Sequence, residues 1–359
     1  MKENKELLRE LCLAKSPSGY EREVTEIWDS WCAKIPQARH EFTDRNFNSV
    51  WSIGSGPIKI LLSAHSDEIS ARVSWISDEG LISIINVGGM DRKVVYGGKV
   101  LILGDTGWLE GIVCHKPIHL QEDNEYNSSD PFKDLKVDIG KKSKEEIEAL
   151  GIYPGSPVVN RRDVDMDFGE TGLYGNALDD KSCIYINYEI LRKLGEDLDK
   201  TLVDGKDSWY SKYTVYVAIC GCEETGTENA KILAQRLNPD ISIDSDVTFD
   251  SSHDDMKAEE NGESKASKGC VIMTGPDKSL RLVRLLRDIA KSHEIPFQMQ
   301  ASRAGGTNTR SFKNYSLDCE TALVSIPLAN MHQIYELADW NDISGAVQLI
   351  YDTIISCEL

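Results

Sequence analysis

The spacing of hydrophobic positions changes along the chain, and each change predicts a different kind of element. Residues 3–15 and 21–34 carry apolar side chains at helical spacing, and Ser16-Pro17-Ser18-Gly19 interrupts them. That predicts two amphipathic helices with a break between. Gly54-Ser55-Gly56-Pro57 reads as a turn, and the run 58–63 after it is short, apolar and unalternating. A parallel strand covered on both faces has that pattern. From about 69 to 169 the texture alternates, with short strands over 71–76, 81–87, 99–103 and 110–113 between glycine turns. Residues 121–130 read as a polar loop of this β module. Residues 143–150 read as a short helix, with Ser143 and Glu146 spaced as a capping box. Beyond 170 the rhythm is α/β. Helices are expected over 182–194, 230–237, 280–293 and 343–357, and strands over 213–221, 241–247, 270–274 and 321–328. Residues 195–212 read as a polar insertion. The expected fold class is α/β: a mixed, mostly parallel sheet flanked by helices, with a small all-β domain inserted. The expected domains are 1–68 plus 170–359, and 69–169.

Composition narrows the function classes. With 359 residues, 40% hydrophobic and 28% charged, the chain has room for two globular domains. It holds no run of about 18 apolar residues, so no membrane partner is expected. The first residues lack the apolar core and cleavage site of a secretion signal, which leads us to expect a cytoplasmic protein. Nine scattered cysteines agree with a reducing compartment. The close pair Cys220 and Cys222 sits on an expected strand, where both thiols would share a face; without a second pair it reads as core packing. The net charge of -19 repels phosphate backbones and argues against nucleic acid as a partner.

The chemistry lies just past the expected strands. One strand delivers His65 and Asp67, a second Glu223 and Glu224, a third Asp246, a fourth Asn330, Met331 and His332, while Asp179-Asp180 precedes a helix. In open α/β sheets ligands bind beyond the carboxyl ends of the strands. Singly, each residue has an ordinary reading: a strand-end histidine, a solvated acidic loop, a helix cap. Jointly they place two imidazoles and several carboxylates at one end of the sheet. That donor set suits zinc, manganese or cobalt better than magnesium. In His65-Ser66-Asp67 the aspartate can hydrogen-bond the imidazole nitrogen that faces away from a metal. In Glu223-Glu224 one carboxylate can ligate while its neighbour serves as a general base. His40, His115, His119, His253 and His293 lack such placement and read as structural or exposed.

At these residues the chain closely resembles the glutamyl/leucyl and deblocking aminopeptidases, a family of dinuclear metallopeptidases of the tetrahedral-aminopeptidase type. The resemblance spans nearly the whole chain. His65-Ser66-Asp67-Glu68-Ile69, Asp179-Asp180-Lys181, Glu223-Glu224-Thr225-Gly226, Asp246-Val247-Thr248 and Ser325-Ile326-Pro327-Leu328 on to Met331-His332 resemble its metal-site segments. Tyr153-Pro154-Gly155-Ser156-Pro157-Val158-Val159 resembles one of its non-catalytic stretches.

The resemblance implies two divalent metal ions per chain, zinc first, with cobalt or manganese as alternatives. Asp179 would bridge them, His65 and Asp246 would complete one site, and Glu224 and His332 the other. Asp67 would support His65, and Glu223 would be the general base acting on a metal-bridged water. The implied reaction removes the first residue of short peptides. The implied assembly is a homo-oligomer, from a dimer up to a shell of twelve, built with help from the inserted β domain. Three residues depart from the pattern: Lys181 stands where arginine is usual, Cys222 where glutamine is common, and Asn308 where aspartate is usual. Two other functions share the metal site: an amidohydrolase acting on N-acylated amino acids or peptides, and a non-catalytic metal-binding scaffold. A glycosidase is disfavoured, because adjacent glutamates cannot flank a sugar at a separation of about 5 Å or more.

Overall fold

A computed structural model describes every residue except 1–3, 92–93, 115, 121–134, 205–207, 254–255 and 302–305. The expected loop at 121–130 and His115 lie outside the described residues.

Helices α1 (Lys5–Leu13) and α2 (Arg22–Cys32) lead into strands β1 (Arg39–Thr43), β2 (Ser49–Gly54) and β3 (Ile58–His65). Next come β4 (Ser70–Ile76), β5 (Leu81–Val87), β6 (Lys99–Gly104), β7 (Gly107–Cys114), β8 (Lys136–Asp138), α3 (Lys144–Glu148) and β9 (Pro157–Asn160). Strands β10 (Asp165–Phe168) and β11 (Gly172–Gly175) precede α4 (Leu178–Asp204), α5 (Trp209–Lys212), β12 (Tyr213–Cys220) and α6 (Glu228–Leu237). The chain ends through β13 (Ile241–Phe249), β14 (Cys270–Thr274), α7 (Leu280–Ser292), β15 (Phe297–Ala301), α8 (Thr309–Tyr315), β16 (Glu320–Leu328), β17 (Glu336–Asp339) and α9 (Trp340–Ile355).

The main sheet has eight strands in the order β1-β2-β12-β3-β13-β16-β14-β15. Its inner strands β12, β3, β13 and β16 are mutually parallel, so their carboxyl ends line one edge. Strand β3 shows why its sequence does not alternate. Ile60 and Leu62 pack into the large cluster holding Trp28, Leu191 and Ile343. Leu61 packs on the opposite face with Leu233 and Phe312. Helices therefore cover both faces, and Ile60, Leu61 and Leu62 are apolar in succession.

Strands β4 to β9 close into a six-stranded barrel in the order β4-β5-β8-β7-β6-β9. Only inward positions such as Val73, Ile82, Ile84, Val100, Ile102 and Val137 form its core, which accounts for the alternation. A separate three-stranded sheet joins β10, β11 and β17. No helix among the described residues is long and apolar enough to cross a membrane.

Several local expectations need correction. Residues 195–212, expected as a polar insertion, are helical over much of their described length. Helix α4 continues to Asp204, and Trp209 of α5 is buried; the polarity belongs to a long helix with a solvated side. Asp246 lies inside β13 rather than beyond it, because the strand runs on to Phe249. Cys220 and Cys222 do not share a face. Cys222 adopts a positive φ past the end of β12, and its thiol lies by Glu21 while that of Cys220 lies by the Asn308 amide. The capping box is half formed: Ser143 Oγ accepts the Glu146 N–H at 3.3 Å, while the Glu146 carboxylate accepts the Lys142 N–H.

A buried ion cluster ties the barrel to the sheet. Glu68, at the start of the barrel, accepts the Ser16 N–H at 2.6 Å, pairs with Arg162 beyond β9, and lies 3.4 Å from Lys181 Nζ at the start of α4. Lys181 Nζ also donates to the Ala14 carbonyl at 2.9 Å. Burial pushes the Glu68 carboxyl up, but Arg162 and Lys181 outweigh it and hold the group at about 2. Lys181 has one anion for company and a cation nearby, so burial wins and lowers it to about 8.

Glu68→Gln leaves two buried cations without a counter-charge. It should lower the unfolding free energy by about 3–5 kcal/mol in a urea titration. Because the folded-state value is depressed, the wild-type contribution is present above the ordinary glutamate value and fades as pH falls toward about 2. The variant should lack that acid-side loss.

Candidate metal centre

His65 is the last residue of β3, and the chain turns immediately after it. The Ser66 N–H donates to the Cys220 carbonyl at 2.9 Å, so the turn is fastened to β12. Asp67, fully buried, then organises the next turn. Its Oδ1 accepts the Glu223 N–H at 2.8 Å, and its Oδ2 accepts the Glu224 N–H at 3.2 Å and the Ser18 hydroxyl at 2.7 Å. The expected carboxylate–imidazole bond is not its closest contact. His65 Nδ1 lies 3.1 Å from the Asp67 carbonyl oxygen and 3.5 Å from its carboxylate. The carboxylate is engaged more closely by main-chain donors, and it fixes the pair of glutamates.

A second carboxylate does the same on the other side. Glu336, buried at the start of β17, accepts the Asp179 N–H at 3.0 Å and the His332 N–H at 2.9 Å. Sequence reasoning missed it. The available signal was an acid four residues past a candidate ligand, opening a short strand of otherwise apolar neighbours. The barrel side contributes the Gly89 carbonyl, 3.1 Å from His332 Nδ1. A Cβ at Gly89 would meet that nitrogen at 2.6 Å, so the close approach requires glycine.

In both histidines Nδ1 faces a carbonyl oxygen, to which it donates. Nε2 therefore faces the centre, where it donates to Asp179 while protonated and would offer its lone pair to a metal ion once that proton leaves. His65 Nε2 lies 2.9 Å from Asp179 Oδ1, and His332 Nε2 lies 3.3 Å from Asp179 Oδ2. The two oxygens of one aspartate thus face two imidazoles. Glu224 Oε1 is 3.5 Å from His332 Nε2, and Glu223 Oε2 is 4.0 Å from His65 Nε2. Two sets offer ligand atoms within 4.8 Å of one another: His65, Asp179 and Glu224, and His65, Asp180 and Asp246. Asp180 thereby joins the residues singled out from sequence, and its Oδ2 also accepts the His65 N–H at 3.1 Å. The remaining described histidines stay outside. His293 pairs with Asp352 at 2.7 Å and His40 meets Thr43 at 2.9 Å, while His119 and His253 are exposed.

Burial sets the electrostatics. It raises Glu223 to about 8 and Asp246 to about 7, with Asp179 adding to both, and it raises Asp180 and Glu224 well above the carboxylate range. Asp179 is the exception: burial raises it, but the hydrogen bonds from His332 and His65 outweigh that and hold it low. His332 is raised to about 9 by its bond to Asp179. His65 is raised too, because bonds to Asp179 and Asp67 outweigh burial. Glu224 Oε1 and Asp180 Oδ1 are buried with no hydrogen-bond partner. Buried acids crowded together with orphaned acceptor oxygens are short of positive charge. A mixed nitrogen and oxygen donor set of this kind fits divalent cations such as zinc.

The sequence profile of the M42 glutamyl aminopeptidase family matches residues 49–349. The lysyl aminopeptidase of Pyrococcus furiosus is 28% identical over 305 residues, covering 82% of this chain and 81% of that protein. The TET aminopeptidase of a marine-sediment Thaumarchaeota archaeon superposes with a TM-score of 0.89 at 26% identity, covering 99% of this chain and 96% of that one. Pyrococcus horikoshii TET1 peptidase, which can assemble into a tetrahedron or a large octahedral shell, superposes at 0.82 with 27% identity, covering 99% of each chain.

The raised carboxyls make a signed prediction. Glu223, Asp246 and Glu336 hold protons in the folded state at about 8, 7 and 8 that the unfolded chain has already released. Metal-stripped protein should therefore lose about 3 kcal/mol or more of unfolding free energy between about pH 5 and pH 8. Urea titrations with saturating zinc should show that loss abolished or reversed.

Proposed function

Because the chain belongs to the M42 glutamyl aminopeptidase family and is an aminopeptidase, a hydrolase of peptide bonds, we propose that it removes the first residue of short peptides with two divalent cations and Glu223 as general base. The observation that carries this reading is Asp179, whose two carboxylate oxygens face His65 and His332 among buried acids with unpartnered oxygens. In this reading Asp179 would be shared by the cations, His65 and Asp246 would hold one, and Glu224 and His332 would hold the other. Asp180 lies beside the first. Zinc is the cation we assign, with cobalt and manganese able to substitute.

Divalent cations supply, when bound, an acidified water and a polarised scissile carbonyl. The side chains do the rest. Glu223 is held by its own N–H on Asp67, which keeps its carboxylate beside the centre as the base that would take the water's proton and return it to the leaving amine. Asp67 is a positioning residue through that contact. The neighbouring acids favour a substrate's positively charged α-amino group, which makes the reaction an exopeptidase one. Residues 1–68 with 170–359 form the catalytic domain in this proposal, and 69–169 form a domain that serves assembly. The likeness to TET1 peptidase supports a homo-oligomer, from a dimer to a shell of twelve. A cytoplasmic location fits nine unpaired cysteines.

The test uses metal-stripped protein and a panel of aminoacyl-chromophore amides, titrated with zinc, cobalt and manganese. Activity should plateau near two ions per chain. Glu223→Gln should keep both ions and lose about a hundred- to ten-thousandfold in kcat. Wild type that binds two ions yet cleaves no free-amine substrate would overturn the proposal.

A further inference from the structure

Beyond the Glu223-Glu224 turn the surface opens into a cavity of about 350 Å³ between the start of α6 and the segment leading into α8. That volume is at the lower end of those that hold small ligands. Its walls grow from the active-site turn itself. Gly226, two residues past Glu224, lines one side, and Thr307 lines the other. Asn308, next to Thr307, donates its amide to Cys220 Sγ at 3.1 Å, which fastens that wall to the end of β12.

The lining goes against the charge of the protein. The chain carries -19 overall, yet among the described residues the cavity is lined by Lys231 and Arg310 and by no acidic side chain. Lys231 Nζ is 2.9 Å from the Glu228 carboxylate, so its charge is answered locally. Arg310 is different: its guanidinium is exposed and makes no hydrogen bond or ion pair among the described residues. Hydroxyl groups accompany it. Ser311 Oγ donates to Thr227 Oγ1 at 2.6 Å, and a hydroxyl that accepts in this way keeps its own proton to give. An unpaired guanidinium beside hydroxyl donors is matched to a planar anion with two oxygens.

We propose that this cavity is a carboxylate-recognition subsite of the peptidase, with Arg310 as the residue that reads the anion and the Thr227 hydroxyl as its companion donor. The inference rests on the aminopeptidase reading and adds a substrate determinant to it. The carboxylate has two sources in a short peptide: the terminal carboxylate of a di- or tripeptide, or an acidic side chain.

The experiment compares wild type with Arg310→Gln on two substrate pairs that differ in a single charge. Ala-Ala against Ala-Ala-amide reads the terminal carboxylate; the p-nitroanilides of Glu and Gln read the side chain. Reduced-amide analogues of each, which are not cleaved, give Kd in parallel on the metal-loaded protein. Arg310→Gln should lower kcat/KM and weaken Kd for the charged member of one pair by about tenfold, leaving its neutral partner within about twofold. Added salt should shrink the wild-type preference, as an exposed ion pair requires. Loss in the first pair assigns the terminal carboxylate, and loss in the second assigns the side chain. Unchanged preference in both pairs, with the variant's thermal unfolding intact, overturns the subsite. Absence of turnover by wild type with the Kd difference present would instead count against the aminopeptidase reading.

Discussion

Crowding acids away from water is the constraint on which this structure turns. Asp67, Asp179, Asp180 and Asp246 are buried at one edge of the sheet, with Glu223 and Glu224 close to buried beside them. Ionised together in a poorly solvated space they repel one another by far more than a typical surface contact contributes. The fold answers part of that charge with its own donors. Asp67 takes two main-chain N–H groups and a hydroxyl, and Asp179 takes two imidazoles. Glu224 and Asp180 each keep an oxygen with no hydrogen-bond partner among the described residues. What is left over is a site that selects cations by its deficit of positive charge.

The scaffold makes this deficit tolerable by fastening the loops that carry it. Four parallel strands bring their carboxyl ends to one edge. Carboxylates then act as clamps between the loops: Asp67 joins the β3 turn to the glutamate pair, Glu336 joins Asp179 to His332, and Glu68 joins the barrel to α4. The barrel is therefore more than an appendage to the sheet. It follows β3 directly, is anchored through Glu68 and Arg162, and sends the Gly89 carbonyl to orient His332. The distance from barrel to metal centre is one hydrogen bond.

The parts legible in the sequence were those set by a local pattern. The apolar run of β3, the alternation of the barrel strands and the amphipathic terminal helices each follow from burial on two faces, one face or one stripe. The acidic and histidine residues at strand ends could be assembled into a centre because sheet topology supplies their convergence. What stayed hidden depended on partners far away in sequence. Strand β2 is fully buried yet rich in serine, and β1 is largely exposed, so neither carries a clear period. The run after residue 195 read as a polar insertion because its residues show no apolar stripe. Glu336 was invisible because its role is to accept two N–H groups from residues that only the fold brings near. Asp67 was read for His65, whose Nδ1 lies 3.5 Å from its carboxylate, but not for its main-chain donors, which come from a turn over 150 positions away.

Two cations shared by Asp179 would complete this acid-rich centre. Anomalous diffraction from crystals grown with zinc, collected on both sides of its absorption edge, should show two peaks about 3.5–4 Å apart, one near His65 and one near His332, with Asp179 between them. A single peak, or peaks that leave Asp179 unliganded, would contradict that arrangement.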